Sequence, residues 1–182
     1  MPIQFDPNIH TNQHRGEAGT FQGLLLRLNK KMLRDELLQN TVNELRNILK
    51  SDRVVIYYFY TQWKGQVIFE SLSDDQFSIL GSTGPDQCFN DEYATLYLAG
   101  RVRSISDIES EPIAECHRDF LRYLKIKANL VVPILTSQGL WGLLIAHHCQ
   151  SDRQWLNDEI EQMKQAAVTL SLAPSIRNSG NL

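Results

Sequence analysis

The chain has 182 residues, of which 42% are hydrophobic and 21% are charged, and its net charge is −3. This length and composition are typical of one globular domain, and the weak negative charge argues against a nucleic-acid partner. No apolar run approaches the roughly 20 residues of a membrane span, the first residues do not have the pattern of a signal peptide, and the cysteines are too few for a disulfide scaffold. We therefore expect a cytoplasmic protein without a membrane partner.

The first predicted element is a long helix. Residues 1–18 are polar and are expected to form a flexible N-terminal tail. From Thr20 to Leu49, apolar residues recur at steps of three and four, which predicts an amphipathic helix of roughly eight turns. A helix of this length often packs against a second copy of itself or joins a neighbouring module.

A hairpin and an irregular segment follow. The β-branched and aromatic run DRVVIYYFY (52–60) predicts a buried strand, and QVIFESL (66–72) predicts its antiparallel partner. Residues 73–89 contain Gly81, Gly84 and Pro85 and are expected to be irregular. Residues 90–100 predict a short helix capped by Asn90 or Asp91, and RVRSISDI (101–108) predicts a short strand with a loop.

The second half of the chain predicts a helix, a hairpin and a last helix. A helix is expected from Glu111 to Leu124, with Pro112 at an early position. KANLVVPIL (127–135) and GLWGLLIAHHC (139–149) predict a hairpin in which Pro133 lies at an edge or a bulge. The last helix is expected from Leu156 to about Leu172, and Pro174 ends it.

This order of elements predicts an α+β fold with a central antiparallel sheet. The first and last helices are expected to cover one face of the sheet. The irregular middle segment and the two short helices are expected on the other face, where they would wall a pocket.

The thiols and imidazoles are the candidate reactive groups: Cys88, Cys116, His117, His147, His148 and Cys149. They do not have the short paired spacings of a zinc site, and His147 and His148 would point to opposite faces of a strand. Cys116 and His117 diverge by about 100° on a helix, which argues against a cysteine hydrolase. We predict neither a metal site nor a catalytic site.

Two readings of the cysteines remain after this elimination. For Cys149 and His148 we favour a structural role, since buried cysteines behave as small hydrophobes. For Cys88 and Cys116, residue chemistry alone leaves a structural role open. It also allows covalent attachment of a ligand, because Cys116 lies near a helix start beside a histidine that can take its proton.

Several stretches in a fixed order carry a resemblance to a known family: DQCF (86–89), GRVRSISDI (100–108), CHRDFL (116–121), KANLVVPIL (127–135), LWGLLIAHHC (140–149) and QSDRQW (150–155). Together they resemble the bilin-binding GAF domains of cyanobacteriochromes, which are compact relatives of phytochromes. The resemblance runs from about residue 20 to 172. DQCF fits the DXCF pattern that marks the two-cysteine branch of that family.

The resemblance implies roles for the two cysteines. Cys116 resembles the anchor that forms a thioether with ring A of a linear tetrapyrrole, which would be phycocyanobilin or its isomer phycoviolobilin. Cys88 resembles the second cysteine, which adds reversibly to the central methine bridge.

The resemblance also implies a set of pocket residues. His117 resembles the histidine against the inner pyrroles, and Asp86 matches an acidic residue near their nitrogens. Arg101, favoured over Arg103, matches a partner of a propionate, and His147 resembles a strand histidine at the far end of the bilin. Tyr93 and Phe89 are expected to line the pocket. Tyr97, Leu121 and Trp141 are also available, although Leu121 and Trp141 fit an ordinary core better.

The implied function is a photoreceptor domain and not an enzyme, apart from attachment of its own bilin. It would convert reversibly between a blue- or violet-absorbing state and a green-, teal- or orange-absorbing state. The expected domains are a tail (1–18), a bilin-binding GAF domain (19–173) and a C-terminal tail (174–182). The expected partners are the bilin, a second copy through the terminal helices and a signalling output domain on the same or another protein.

The alternative is a GAF domain that senses no light and binds another small molecule, such as a cyclic nucleotide. Nucleotide binding needs neither thiol, so the CH and DQCF motifs argue against this alternative.

Overall fold

The computed structural model of the chain describes residues 13–61, 63–84 and 91–177. Within these ranges, helices flank a five-stranded sheet whose strand order is β2-β1-β5-β4-β3. Every strand pair is antiparallel. The elements in chain order are α1 (Gln13–Leu49), β1 (Arg53–Thr61), β2 (Lys64–Leu72), a 3-10 turn (Asp75–Phe77), α2 (Asp91–Leu98), β3 (Arg103–Ile105), α3 (Glu115–Tyr123), β4 (Ala128–Thr136), β5 (Gly139–His148), α4 (Asn157–Leu172) and α5 (Pro174–Arg177).

The sheet confirms the predicted α+β architecture and both predicted hairpins. β1 pairs with β2, β4 pairs with β5, and β5 also pairs with β1 to close the centre of the sheet. Pro133 lies on β4 beyond Val131, the last residue of that strand that pairs with the short β3. One side of β4 is therefore an edge at Pro133, where a residue without an N–H group is tolerated.

The terminal helices α1 and α4 pack on one face of the sheet, as predicted. Alternate strand residues point to that face, and helix residues spaced by three and four close over them. The main buried members are Leu38, Val42, Leu45, Leu49, Val54, Ile56, Leu130, Val132, Ile134, Leu144, Ala146, Met163, Ala167 and Leu170. Ile176 of α5 belongs to the same core. The packed structure therefore extends into the predicted C-terminal tail.

The part of α1 that precedes this core leaves many apolar side chains exposed. Their exposed fractions run from 44% at Leu25 to 67% at Met32 and Leu33. Full burial on α1 begins only at Leu38. None of the described helices is both long and apolar enough to cross a membrane.

Two helix starts differ from the predictions. α1 begins at Gln13, inside the predicted tail, and its 37 residues form about ten turns. α3 begins at Glu115 rather than Glu111. The residue before a proline is disfavoured in a helix, which excludes Glu111. In addition, Arg118 donates hydrogen bonds to the carbonyls of residues 108, 109, 111 and 113 and so holds this segment as a loop.

Candidate functional site

A cavity of about 400 Å³ lies on the sheet face opposite α1 and α4. Its floor is made by every second residue of the central strands, since successive strand residues point to opposite faces. These residues are Val55, Tyr57 and Phe59 on β1, Asn129 and Val131 on β4, and Leu143, Ile145 and His147 on β5.

The two short helices form the walls of the cavity. α2 contributes Tyr93, Leu96 and Tyr97, and α3 contributes His117, Phe120 and Leu121, in each case with helical spacing. The lining is mainly apolar and aromatic, with a few polar groups, and its volume lies in the range of small-molecule sites. The predicted pocket on this face is present.

The predicted residues Asp86, Cys88 and Phe89 lie outside the described residues. On the two sides of this stretch, Gly84 and Tyr93 both line the cavity. The Gly84 N–H donates to the Tyr57 hydroxyl at 3.0 Å.

Cys116 and His117 differ in their relation to the cavity. Cys116 is the second residue of α3 and is exposed, whereas His117, about 100° further round the helix, is half-buried and lines the cavity. The Cys116 sulfur is disulfide-bonded. Burial, followed by the positive charge of Arg103, lowers the pKa of His117. Its imidazole makes no hydrogen bond to any residue that the structure describes.

Arg101 and Arg103 both line the cavity, as their i, i+2 spacing predicted, but only Arg103 has an ionic partner. Arg103 forms an ion pair with Glu111, which also lines the cavity. The Arg101 guanidinium makes no hydrogen bond or ion pair within the described ranges. Arg101 is therefore the more available partner for an anionic group of a ligand.

His147 and His148 point to opposite faces of β5, as predicted. His147 is 3% exposed and lines the cavity, and its Nδ1 lies 2.9 Å from Nε of Arg53. Burial, followed by the charge of Arg53, places the pKa of His147 well below its ordinary value. His148 is half-buried, with Nδ1 3.2 Å from the Ser151 carbonyl.

The tyrosines, Trp141 and Cys149 complete the set of predicted residues. Tyr97 lines the cavity, and burial raises its pKa to about 12. Trp141 belongs to the core under the terminal helices, and Leu121 is both core and cavity wall. Cys149 is buried, its pKa is raised to about 11 mainly by burial, and its N–H donates to Asp52. The structural role predicted for Cys149 fits this environment.

Several polar residues of the site were missed at the sequence level, among them Trp63 and Asn129, which line the cavity, and Arg53, which bonds His147. Asn129 is 5% exposed, and its Oδ1 has no hydrogen-bond partner in the described part of the chain; the same is true of Trp63 Nε1. Arg53 is fully buried. Asn129 interrupts the apolar sequence of β4, and this interruption is a signal by which it was detectable; Arg53 is the first residue of β1 and gives no such signal. Among the described residues, no cluster of three or more His, Cys, Asp or Glu side chains is placed to hold a metal ion.

The chain is similar in sequence to known proteins over most of its length. The sequence profile of the GAF domain family matches residues 33–173. An uncharacterised protein of Picosynechococcus is 54% identical over 145 residues, which are 80% of this chain and 89% of that protein. A Synechocystis protein named as a methyl-accepting chemotaxis protein is 36% identical over 89% of this chain, but the chain spans only 16% of its length.

Solved structures with the same fold include light-absorbing domains. The blue-light absorbing form of the PixJ GAF domain of Thermosynechococcus elongatus has a TM-score of 0.74 and 36% identity, covering 80% of this chain and 86% of that chain. The phycocyanobilin-bound GAF domain of a cyanobacterial phytochrome has a TM-score of 0.73 and 28% identity, covering 93% of this chain and 97% of that chain.

Proposed function

Because this chain belongs to the GAF domain family, we propose that its cavity holds a linear tetrapyrrole and that the domain is a light sensor. One observation carries the proposal. The aromatic cavity is lined by the His117 imidazole and the available Arg101, and the residue immediately before His117 is the exposed Cys116. The similarity to a phycocyanobilin-bound GAF domain supports the same class of ligand.

The proposed pigment is phycocyanobilin or its isomer phycoviolobilin, anchored through Cys116. In this step the thiol of Cys116 adds across a carbon–carbon double bond of ring A. A sulfur–carbon bond forms, and the proton leaves the sulfur and ends on a pigment carbon, so no oxidant is consumed. His117, the next residue and neutral at physiological pH, is the candidate to carry that proton. Because Cys116 is disulfide-bonded, a thiol reductant must first convert the disulfide to two thiols and is itself oxidised to a disulfide.

The pocket residues have complementary proposed roles. Arg101, and Arg103 after it exchanges Glu111 for the ligand, pair with the two propionates through guanidinium–carboxylate hydrogen bonds. His117 and Asp86 lie by the inner pyrroles, His147 meets the far end of the bilin, and Tyr93 and Phe89 pack against it.

The proposed light response uses the second cysteine. Light isomerises the double bond between rings C and D, which moves the pigment relative to Cys88. In one state the Cys88 sulfur bonds the central methine carbon, shortens the conjugated path and shifts absorption to blue or violet. In the other state the bond breaks, and absorption moves to green, teal or orange. A thiolate suits this reversible step because it is both nucleophile and leaving group.

Signal output is proposed to pass through the terminal helices to a domain on the same or another protein. The exposed apolar stretch of α1 from Phe21 to Leu33 supports a homodimer formed by this helix. Sedimentation of the wild-type chain and of a Leu26→Lys, Leu33→Lys variant tests it. These positions are seven residues apart and share a helix face. A monomeric wild-type chain contradicts the dimer, and a variant that stays dimeric contradicts this interface.

The test of the proposed function is expression in cells that make phycocyanobilin, with purification under reducing conditions. We expect a coloured protein, a zinc-fluorescent band on a denaturing gel and reversible spectral change on illumination. A colourless chain contradicts the proposal. A colourless chain that gains thermal stability with a cyclic nucleotide would favour the alternative ligand class.

The Cys88→Ser variant tests the two-cysteine photocycle separately. The blue-shifted state should vanish while the bilin stays covalently bound. A blue-shifted state that survives this substitution contradicts the role of Cys88 without touching that of Cys116.

A further inference from the structure

Arg53 is a buried cation at the end of the cavity where His147 lies. Its side chain has no exposed surface, and its guanidinium donates three hydrogen bonds to groups from three different segments. Nε bonds Nδ1 of His147 at 2.9 Å, Nη2 bonds the Leu124 carbonyl at 3.0 Å, and Nη1 bonds the Phe77 carbonyl. None of these acceptors is a carboxylate, so the arrangement is not an ordinary buried ion pair.

The register of the sheet produces this contact. Arg53 and His147 are directly opposite each other on β1 and β5 and therefore share a face. The two carbonyls hold the guanidinium from the other side and prevent it from rotating away. Arg53 is thus fixed against one nitrogen of the histidine ring.

The hydrogen bond determines which nitrogen of His147 carries a proton. Arginine stays protonated in proteins, so its Nε always presents an N–H group. Nδ1 of His147 must then be the acceptor with a free lone pair, because two N–H groups facing each other at 2.9 Å would repel. A neutral imidazole has one N–H, which must be on Nε2.

We propose that Arg53 is a positioning residue that fixes His147 as the Nε2–H tautomer, so that this end of the cavity presents a hydrogen-bond donor to a carbonyl oxygen of the ligand. The inference rests on the proposed function for the identity of that carbonyl, since a linear tetrapyrrole ends in lactam rings. The tautomer itself is a property of the chain with or without pigment.

The charges around His147 favour the neutral ring. Arg53 on β1 is the charged group that acts on it, and its cross-strand neighbour on β4, Asn129, carries no charge. Burial lowers the pKa of Arg53, and the nearby carboxylates of Asp52 and Glu70 oppose that lowering. An arginine side chain remains protonated in proteins. Burial is the larger cause of the lowered pKa of His147, and the charge of Arg53 adds to it in opposing a second proton on the ring. The donor is therefore retained through the physiological pH range.

The first test is ¹⁵N NMR of histidine-labelled protein, both pigment-loaded and pigment-free, between pH 5.5 and 8.5. The His147 signals are assigned by their loss in His147→Gln. We expect a protonated Nε2 and an unprotonated Nδ1 throughout, in both samples. A proton on Nδ1, or titration of the ring in this range, overturns the proposal even if no variant of Arg53 folds.

The second test compares Arg53→Met with Arg53→Lys in the pigment-loaded protein. In Arg53→Met, the His147 tautomers should mix, and the absorption band should change between pH 6 and 8. Arg53→Lys keeps a donor and should restore at least part of the pH-independent spectrum. Arg153→Met is the matched control, because Arg153 also bonds two backbone carbonyls but makes no hydrogen bond to His147. Equal pH dependence in Arg53→Met and Arg153→Met contradicts the inference.

The two proposals fail in different ways. A colourless protein with the Nε2–H tautomer contradicts the pigment and leaves the role of Arg53 intact. A coloured, photoactive protein with the Nδ1–H tautomer contradicts the role of Arg53 alone.

Discussion

Leu143 and Leu144 are neighbours on β5, yet they belong to opposite sides of the molecule. Leu144 is fully buried in the core beneath α1 and α4, whereas Leu143 is 6% exposed and lines the cavity. On the helix side, apolar side chains from both layers interdigitate. On the cavity side, Arg101 just before β3 and His117 of α3 line the cavity with no described partner for their side-chain groups. One face of the sheet is thus built for stability and the other leaves polar groups ready for a ligand.

Burial also perturbs titratable groups that line the cavity. His117, His147 and Tyr97 line the cavity, and each has a pKa moved away from its ordinary value with burial as the largest cause. Shifts of this kind concentrate at functional sites. The comparison of the two faces leads to four predictions, given in order of expected effect.

The largest effect is expected at the proposed anchor. Cys116→Ala should abolish covalent attachment, so that no zinc-fluorescent band remains on a denaturing gel, because no other described thiol is placed at the cavity rim. Cys149→Ala is the control, since that thiol is buried and belongs to neither the cavity nor its rim. Undiminished attachment in Cys116→Ala would refute the anchor.

The second prediction compares the two leucines directly. Leu144→Ala should lower the free energy of unfolding by about 2–5 kcal/mol, because it opens a void in a packed core. Leu143→Ala should lower it by about 2 kcal/mol or less, since this side chain already borders a cavity. Urea denaturation of the pigment-free proteins measures both. Equal losses would show that the two faces are packed alike.

The third prediction separates the two arginines. Arg101→Ala should weaken pigment binding about tenfold, the loss expected for one hydrogen-bonded charged group worth roughly 1.5 kcal/mol. Arg103→Ala should have a smaller effect, because Arg103 must first leave Glu111. The yield of loaded protein at limiting phycocyanobilin measures the difference. The reverse order would assign the stronger contact to Arg103.

The smallest effect is expected from acid titration. Folding lowers the pKa of His147 well below 6.5, the ordinary pKa of histidine. Below pH 6.5 the unfolded chain therefore binds more protons than the folded chain. The contribution of His147 to the free energy of unfolding is therefore fully present above pH 6.5. It is lost as the pH decreases, by at most about 1.4 kcal/mol per pH unit for one histidine. Urea denaturation between pH 7.5 and 5.5 should show this loss. His147→Gln should reduce its slope and leave the part that comes from the lowered pKa of His117.

His148→Gln is the control for the titration, since His148 lies on the opposite face of the same strand. The lowered pKa of Asp52 does not interfere, because its contribution is lost only as the pH approaches 3.8 and below. An unchanged slope in His147→Gln would show that His147 is not the titrating group.

Local patterns predicted the strands and the two faces of β5, whereas the placement of His117 in the cavity was implied by the family resemblance. Alternation and helical spacing are properties of short segments and can be read along the chain. The contact between Arg53 and His147 was not predictable in this way, because it depends on the register between strands 94 residues apart. The ion pair between Arg103 and Glu111 was missed because Glu111 was assigned to a helix. The four carbonyl contacts of Arg118, which keep that segment as a loop, depend on tertiary structure.

Arg153 and Trp155 tie the end of β3 to the outer helices. The Trp155 indole N–H donates to the Ile105 carbonyl at 3.2 Å, and the Arg153 guanidinium lies 4.6 Å over the indole ring. The same guanidinium bonds the Leu49 carbonyl at the end of α1 and Glu159 in the first turn of α4. The Arg153–Trp155 pair thus connects β3, the strand that carries Arg103, to the end of α1 and the start of α4. A shift of β3 would therefore be felt by both helices together.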